Sequence, residues 1–156
     1  MIRSKLLTSL FMLLCVSISS TWANTIWVGS SSIDITPKLP AALDGQMNVR
    51  IAQKAETPLL ANVIVLESKS ATQSESVTIF VTCDIVTVPT ELKLLIQEEV
   101  KKQLLSIDVR KIMINASHTH TGGVVRDGWY DIPKGVTQVK DYQRFISTQV
   151  AKAIKS

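Results

Sequence analysis

The chain has 156 residues and a formal net charge of +4, enough polypeptide for one domain around one core. Arg3 and Lys5 lie in a leader expected to be removed, and their loss takes the charge from +4 to +2. What remains has no run of Lys or Arg with aromatic residues beside it, so the electrostatic footprint of nucleic-acid binding is missing and that class is set aside.

Residues 1–23 are read as a secretory signal peptide. A basic start at Arg3 and Lys5 is followed by apolar residues from Leu6 to Val16 and a small-residue boundary at Thr21, Trp22 and Ala23. The apolar run is shorter than the roughly 20 residues a membrane span needs. Cleavage is expected near Ala23, with an exported product that is periplasmic, secreted or at the cell surface. Leu14 is too bulky for a lipoprotein cleavage site before Cys15. Residues 24–156 then keep one cysteine, Cys83, so no disulfide within the chain is available. Its apolar surroundings mark it as a buried small hydrophobe rather than a nucleophile.

Thr25 to Ile35 reads as a first strand, stopped by Thr36 and Pro37, because proline has no N–H for a ladder. Asp34 is expected to form a turn with the backbone that follows it. From Lys38 to Pro58 no period emerges, and a loop or several turns is expected. Leu59 to Leu66 and Val77 to Val86 are β-rich runs joined by the polar stretch Glu67 to Glu75, a hairpin with a loose turn. The second run is nearly continuous in apolar residues, which suits a strand buried on both faces.

After Pro89, residues Leu92, Ile96, Val100 and Leu104 fall four apart, with Glu91 early and Lys101 and Lys102 late, the pattern of an amphipathic helix. Lys111 to Ala116 returns to strand character and runs into Ser117, His118, Thr119 and His120. Thr121 to Val139 is glycine-rich loop. A last helix carries Tyr142, Phe145, Ile146, Val150, Ala153 and Ile154 as its apolar stripe. The fold class expected is α/β, a mixed β-sheet with covering helices. In such sheets, sites lie at the carboxyl ends of strands, where His118, His120 and Asp84 fall.

Side chains alternate along a strand, so two histidines two residues apart are expected on the same side, able to converge on one ion or substrate. A catalytic zinc site typically uses three protein ligands with a position left for water, so the pair is one part of a site. Metallo-β-lactamase-type sites continue with Asp where Gly122 stands, and cupin sites continue with a Glu that Thr121 to Val125 lacks. An amidohydrolase barrel would carry the pair on its first strand, whereas several elements precede it here. Asp84 either orients a histidine or caps the following loop.

Val28 to Pro37, Asp44 and Gly45, Thr57 to Ala61, Cys83 to Ile85, and the Asn115 to Gly123 segment (NASHTHTGG) together resemble the N-terminal domain of neutral/alkaline non-lysosomal ceramidases, in family order. The resemblance implies that residues 24–156 are an incomplete, ceramidase-like N-terminal portion. It implies a zinc-dependent amidase that splits the N-acyl bond of ceramide into sphingosine and a fatty acid. It implies His118 as a Zn2+ ligand and His120 as a catalytic residue that faces the cleft. A ceramide-like lipid amide is then the expected partner, with contact to a membrane surface. The Asp44 and Gly45 turn would line the cleft entrance, and Arg126, Trp129 and Tyr130 are candidates to touch substrate. The family usually reads Ser-Gly-Pro after the second histidine, where this chain has Thr121, Gly122 and Gly123. The family's remaining zinc ligands have no counterpart in residues 1–156, so the portion is expected to be inactive alone. The alternative expectation is a non-catalytic exported domain that keeps the scaffold for binding.

Overall fold

The computed structural model describes residues 25–70 and 73–156. The expected signal peptide, residues 1–23, lies outside the described residues. Two long strands, β4 (Leu60–Lys69) and β5 (Ser74–Cys83), form the hairpin at the centre. β1 (Thr25–Asp34) pairs antiparallel to β4 along its full length, and β6 (Ile112–Ala116) pairs parallel to β5. The sheet order is therefore β1-β4-β5-β6, a mixed sheet. The parallel pair requires a crossover, which helix α1 (Thr90–Gln103) and a short 3₁₀ turn at Val109–Lys111 supply.

Alternation along the strands sorts the two faces. Ala61, Val63, Ile79, Val81, Cys83 and Ile112 point to one side and are buried with Leu92, Ile96 and Val100 of α1. Helix α2 (Val139–Lys155) lies beside α1 and over β1 and β4, closing the same core with Tyr142, Ile146, Val150 and Ala151. The opposite face carries Ile64, Phe80 and Met113 in one register row, all open to solvent. β5 is thus central but buried on one face only, contrary to the expectation from its composition: both helices lie on one side, and the other is bare among the described residues.

Two further differences from the sequence reading matter for the site. The segment expected to be irregular between Lys38 and Pro58 contains a small hairpin, β2 (Ala41–Leu43) and β3 (Arg50–Ala52). β2 docks against the loop after the histidines, with Leu43 bridging Gly123 and Ala41 bridging Thr137. It builds a second, smaller core in which Ala42, Val124 and Val139 are buried, with Ile51 and Tyr130 packed against them. Helix α2 buries Tyr142, Ile146, Val150 and Ala153 of its expected stripe but departs from it at other positions. Phe145 is 40% exposed, while Gln143, Ser147 and Ala151 are buried. Gln143 is satisfied by donating from Nε2 to the Val125 carbonyl at 2.7 Å.

Candidate metal-binding site

β6 ends at Ala116, two residues before the first histidine. Backbone pairing nevertheless continues: Ser117 donates its N–H to Cys83 O at 3.0 Å and His118 donates to Ile85 O at 3.1 Å. His118 then adopts a left-handed backbone with φ of 64°, a conformation that a residue with a Cβ rarely holds. The two histidines therefore do converge, but through this turn rather than through strand alternation. Their Nε2 atoms are 3.4 Å apart and their rings meet edge to face, with centroids at 5.0 Å. Both residues are exposed.

The tautomer of His118 follows from its partner. Nδ1 lies 2.7 Å from the Val86 carbonyl, which can only accept, so Nδ1 carries the proton and Nε2 of the neutral ring presents its lone pair towards His120 Nε2. A backbone carbonyl behind the distal nitrogen is the usual support of a metal-binding imidazole. Two ligands on one tetrahedral zinc stand roughly 3.3–3.4 Å apart, given Zn–N bonds of about 2.0–2.1 Å, so His120 lies within reach of whatever His118 holds. Among the described residues no group of three His, Cys, Asp or Glu could hold a metal ion. The pair fits as part of a zinc donor set and does not complete one.

Asp84 touches neither histidine. Its Oδ2 accepts from Leu60 N at 2.9 Å and its Oδ1 from Ser117 Oγ at 2.9 Å, so it ties the start of β4 to the residue before the pair. Asp34 forms the expected turn, accepting from Thr36 N at 2.7 Å. Cys83 is fully buried, and burial, with Asp84 beside it, pushes its thiol up to about 12.

Sequence reasoning missed the charged network beneath His120. Asp44 is 0% exposed. Its carboxylate accepts from Arg126 Nη2 at 2.9 Å and Nε at 3.3 Å, from the Tyr130 hydroxyl at 3.4 Å, and from Gly45 N at 2.7 Å. Arg126 lies 3.9 Å over the ring of Trp129. Arg126 and Tyr130 are thus engaged with Asp44, and Trp129 with Arg126. Arg50 donates to the carbonyls of Asp44 and His120. Only the Asp-Gly pair hinted at a turn here; a buried carboxylate leaves no mark in a single sequence.

The glycines after the pair have separate causes. A Cβ on Gly122 would lie 2.9 Å from Asp84 O and Ile85 Cα, both backbone. A Cβ on Gly123 would lie 2.5 Å from Cε1 of Tyr142. The Tyr142 ring therefore excludes a side chain at 123, and the loop is held by Val124 N donating to Ala42 O at 3.0 Å. Beyond Thr121, a cavity of about 280 Å³ is lined mainly by apolar residues, among them Leu39, Leu43, Ala52 and Leu59.

The fold and site together define an α/β domain with a histidine pair held at the carboxyl end of a parallel strand. Its fold is similar to part of two solved ceramidase structures. The crystal structure of neutral ceramidase from Pseudomonas aeruginosa matches with a TM-score of 0.70 over 85% of this chain at 14% identity, and a ceramidase complexed with C2 matches with 0.67 over 85% at 15% identity. The chain spans 21% of the length of each. No protein-family model and no curated protein matches the sequence.

Proposed function

We propose that the chain is the histidine-bearing portion of a zinc-dependent amide hydrolase of the neutral ceramidase type. It would cleave the N-acyl bond of a ceramide-like lipid amide to give a sphingoid base and a fatty acid. The observation that carries this reading is the His118 imidazole, proton fixed on Nδ1 by Val86 O and Nε2 lone pair turned to His120 Nε2, within a ceramidase-like fold. His118 Nε2 would be a zinc ligand, and the ligands that complete the shell would come from polypeptide other than residues 25–70 and 73–156. Zinc when bound polarises an amide carbonyl and lowers the pKa of a bound water to about 7. His120 faces the same space and is the catalytic residue, able to hold the substrate carbonyl through an Nε2–H. The apolar cavity next to Thr121 suits a hydrocarbon substituent. We also propose export after cleavage near Ala23 and action on substrate at a membrane surface. Among the described residues no helix is long and apolar enough to cross a membrane.

Elemental analysis of purified residues 24–156, of the longest product of the gene and of its His118→Ala variant tests the reading. Stoichiometric zinc in the longest product, lost in the variant, is the expected result. Zinc absent from every form would leave the alternative, a non-catalytic exported domain that uses the scaffold for binding.

A further inference from the structure

We propose that Gly45 and Arg50 of the β2–β3 hairpin are positioning residues that set how the His120 ring stands against His118. The significance of this for catalysis rests on the function proposed above; the geometry does not. Gly45 has φ of 92°, and a Cβ built on it would lie 2.5 Å from His120 Cγ and 2.8 Å from Nδ1. These are atoms at the root of the ring, so the imidazole could yield only by swinging away as a whole. Arg50 holds the other end of the same residue, donating from Nη2 to the His120 carbonyl and to Asp44 O at 3.4 Å. The turn that carries Gly45 is itself immobilised. Asp44 N donates to Gly122 O at 3.0 Å, and the buried carboxylate of Asp44 is gripped by Arg126. His120 is therefore enclosed by glycine on one side and clamped by an arginine at its carbonyl. His118, by contrast, is set independently, by Ile85 O and Val86 O. The hairpin thus controls one member of the pair and leaves the other untouched.

The sequence contains only these two histidines, so ring signals in a histidine-labelled, metal-free sample at fixed alkaline pH are assigned by one His118→Ala variant. In the native chain, rings with centroids 5.0 Å apart give an inter-ring NOE. In Gly45→Ala that NOE should fall at least threefold and the His120 ring shifts should move, while His118 keeps its Nδ1–H signature. Gly135→Ala is the control: Gly135 also has positive φ, at 87°, but a Cβ there meets nothing within 4 Å. It carries the same backbone strain without the push on His120, and the NOE should survive. Arg50→Met, at an exposed position, covers the case in which Gly45→Ala does not fold, and should weaken the NOE about twofold. An unchanged NOE and unchanged His120 shifts in the variants that fold, or equal changes in Gly135→Ala, overturns the proposal. Because no metal is present, failure here is distinct from failure of the zinc measurement.

Discussion

Cys83 closes the central strand with its thiol fully buried and raised from an ordinary value of 9.0 to about 12. Between those two values the unfolded chain releases a proton that the folded chain keeps, so the stability this neutral thiol contributes is present below pH 9 and is lost as pH rises towards 12. Urea melts at pH 8, 9.5 and 11 should show a decline in midpoint that Cys83→Ala reduces; identical slopes in both proteins would refute the assignment. Residues differed in how far the sequence revealed them. Asp34 is readable because its partner is two positions away. Asp84 and Asp44 are not, since their partners lie 24 and 82 residues off and depend on the fold being complete. The histidine pair is readable as a pair, whereas the left-handed turn that brings it together has no signature at a non-glycine position.

Periodicity decided which elements could be foreseen. Helix α1 repeats every four residues, and Leu92, Ile96 and Val100 are all 0% exposed, as that spacing requires. Ile96→Ala at the middle of this stripe should cost about 2–5 kcal/mol, read from chemical denaturation, because the sheet beneath cannot collapse into the space. A loss below 1 kcal/mol would mean the helix packs loosely. In α2 the apolar pattern placed Tyr142, Ile146, Val150 and Ala153 correctly in the buried face and erred at Phe145, while the buried Gln143 and Ser147 carry no apolar signal. Strands β2 and β3, three residues each, are too short for any period to appear, yet they carry the hairpin that adjoins His120.

The molecule as a whole has one finished face and one open one. Ile64, Phe80 and Met113 form an apolar row 47%, 36% and 58% exposed on the side of the sheet away from both helices. Contiguous apolar surface of this kind binds hydrophobic dyes. Residues 24–156 should enhance anilinonaphthalene sulfonate fluorescence in the native state, and Phe80→Thr with Met113→Lys should reduce that signal at least twofold without lowering the melting temperature. Equal fluorescence in both would place the dye elsewhere. Fold class was legible because alternation and helical spacing are local, while the open face was not, because composition alone cannot say on which side two helices will settle.

His118 holds a backbone that costs an ordinary side chain about 1–2 kcal/mol and glycine almost nothing. Under the zinc-ligand role proposed for His118, selection for stability and selection for chemistry pull residue 118 in opposite directions. A lineage that kept this scaffold after abandoning the reaction would drift towards glycine or asparagine there. Among natural variants of the chain, the identity of that single residue should separate working sites from relics.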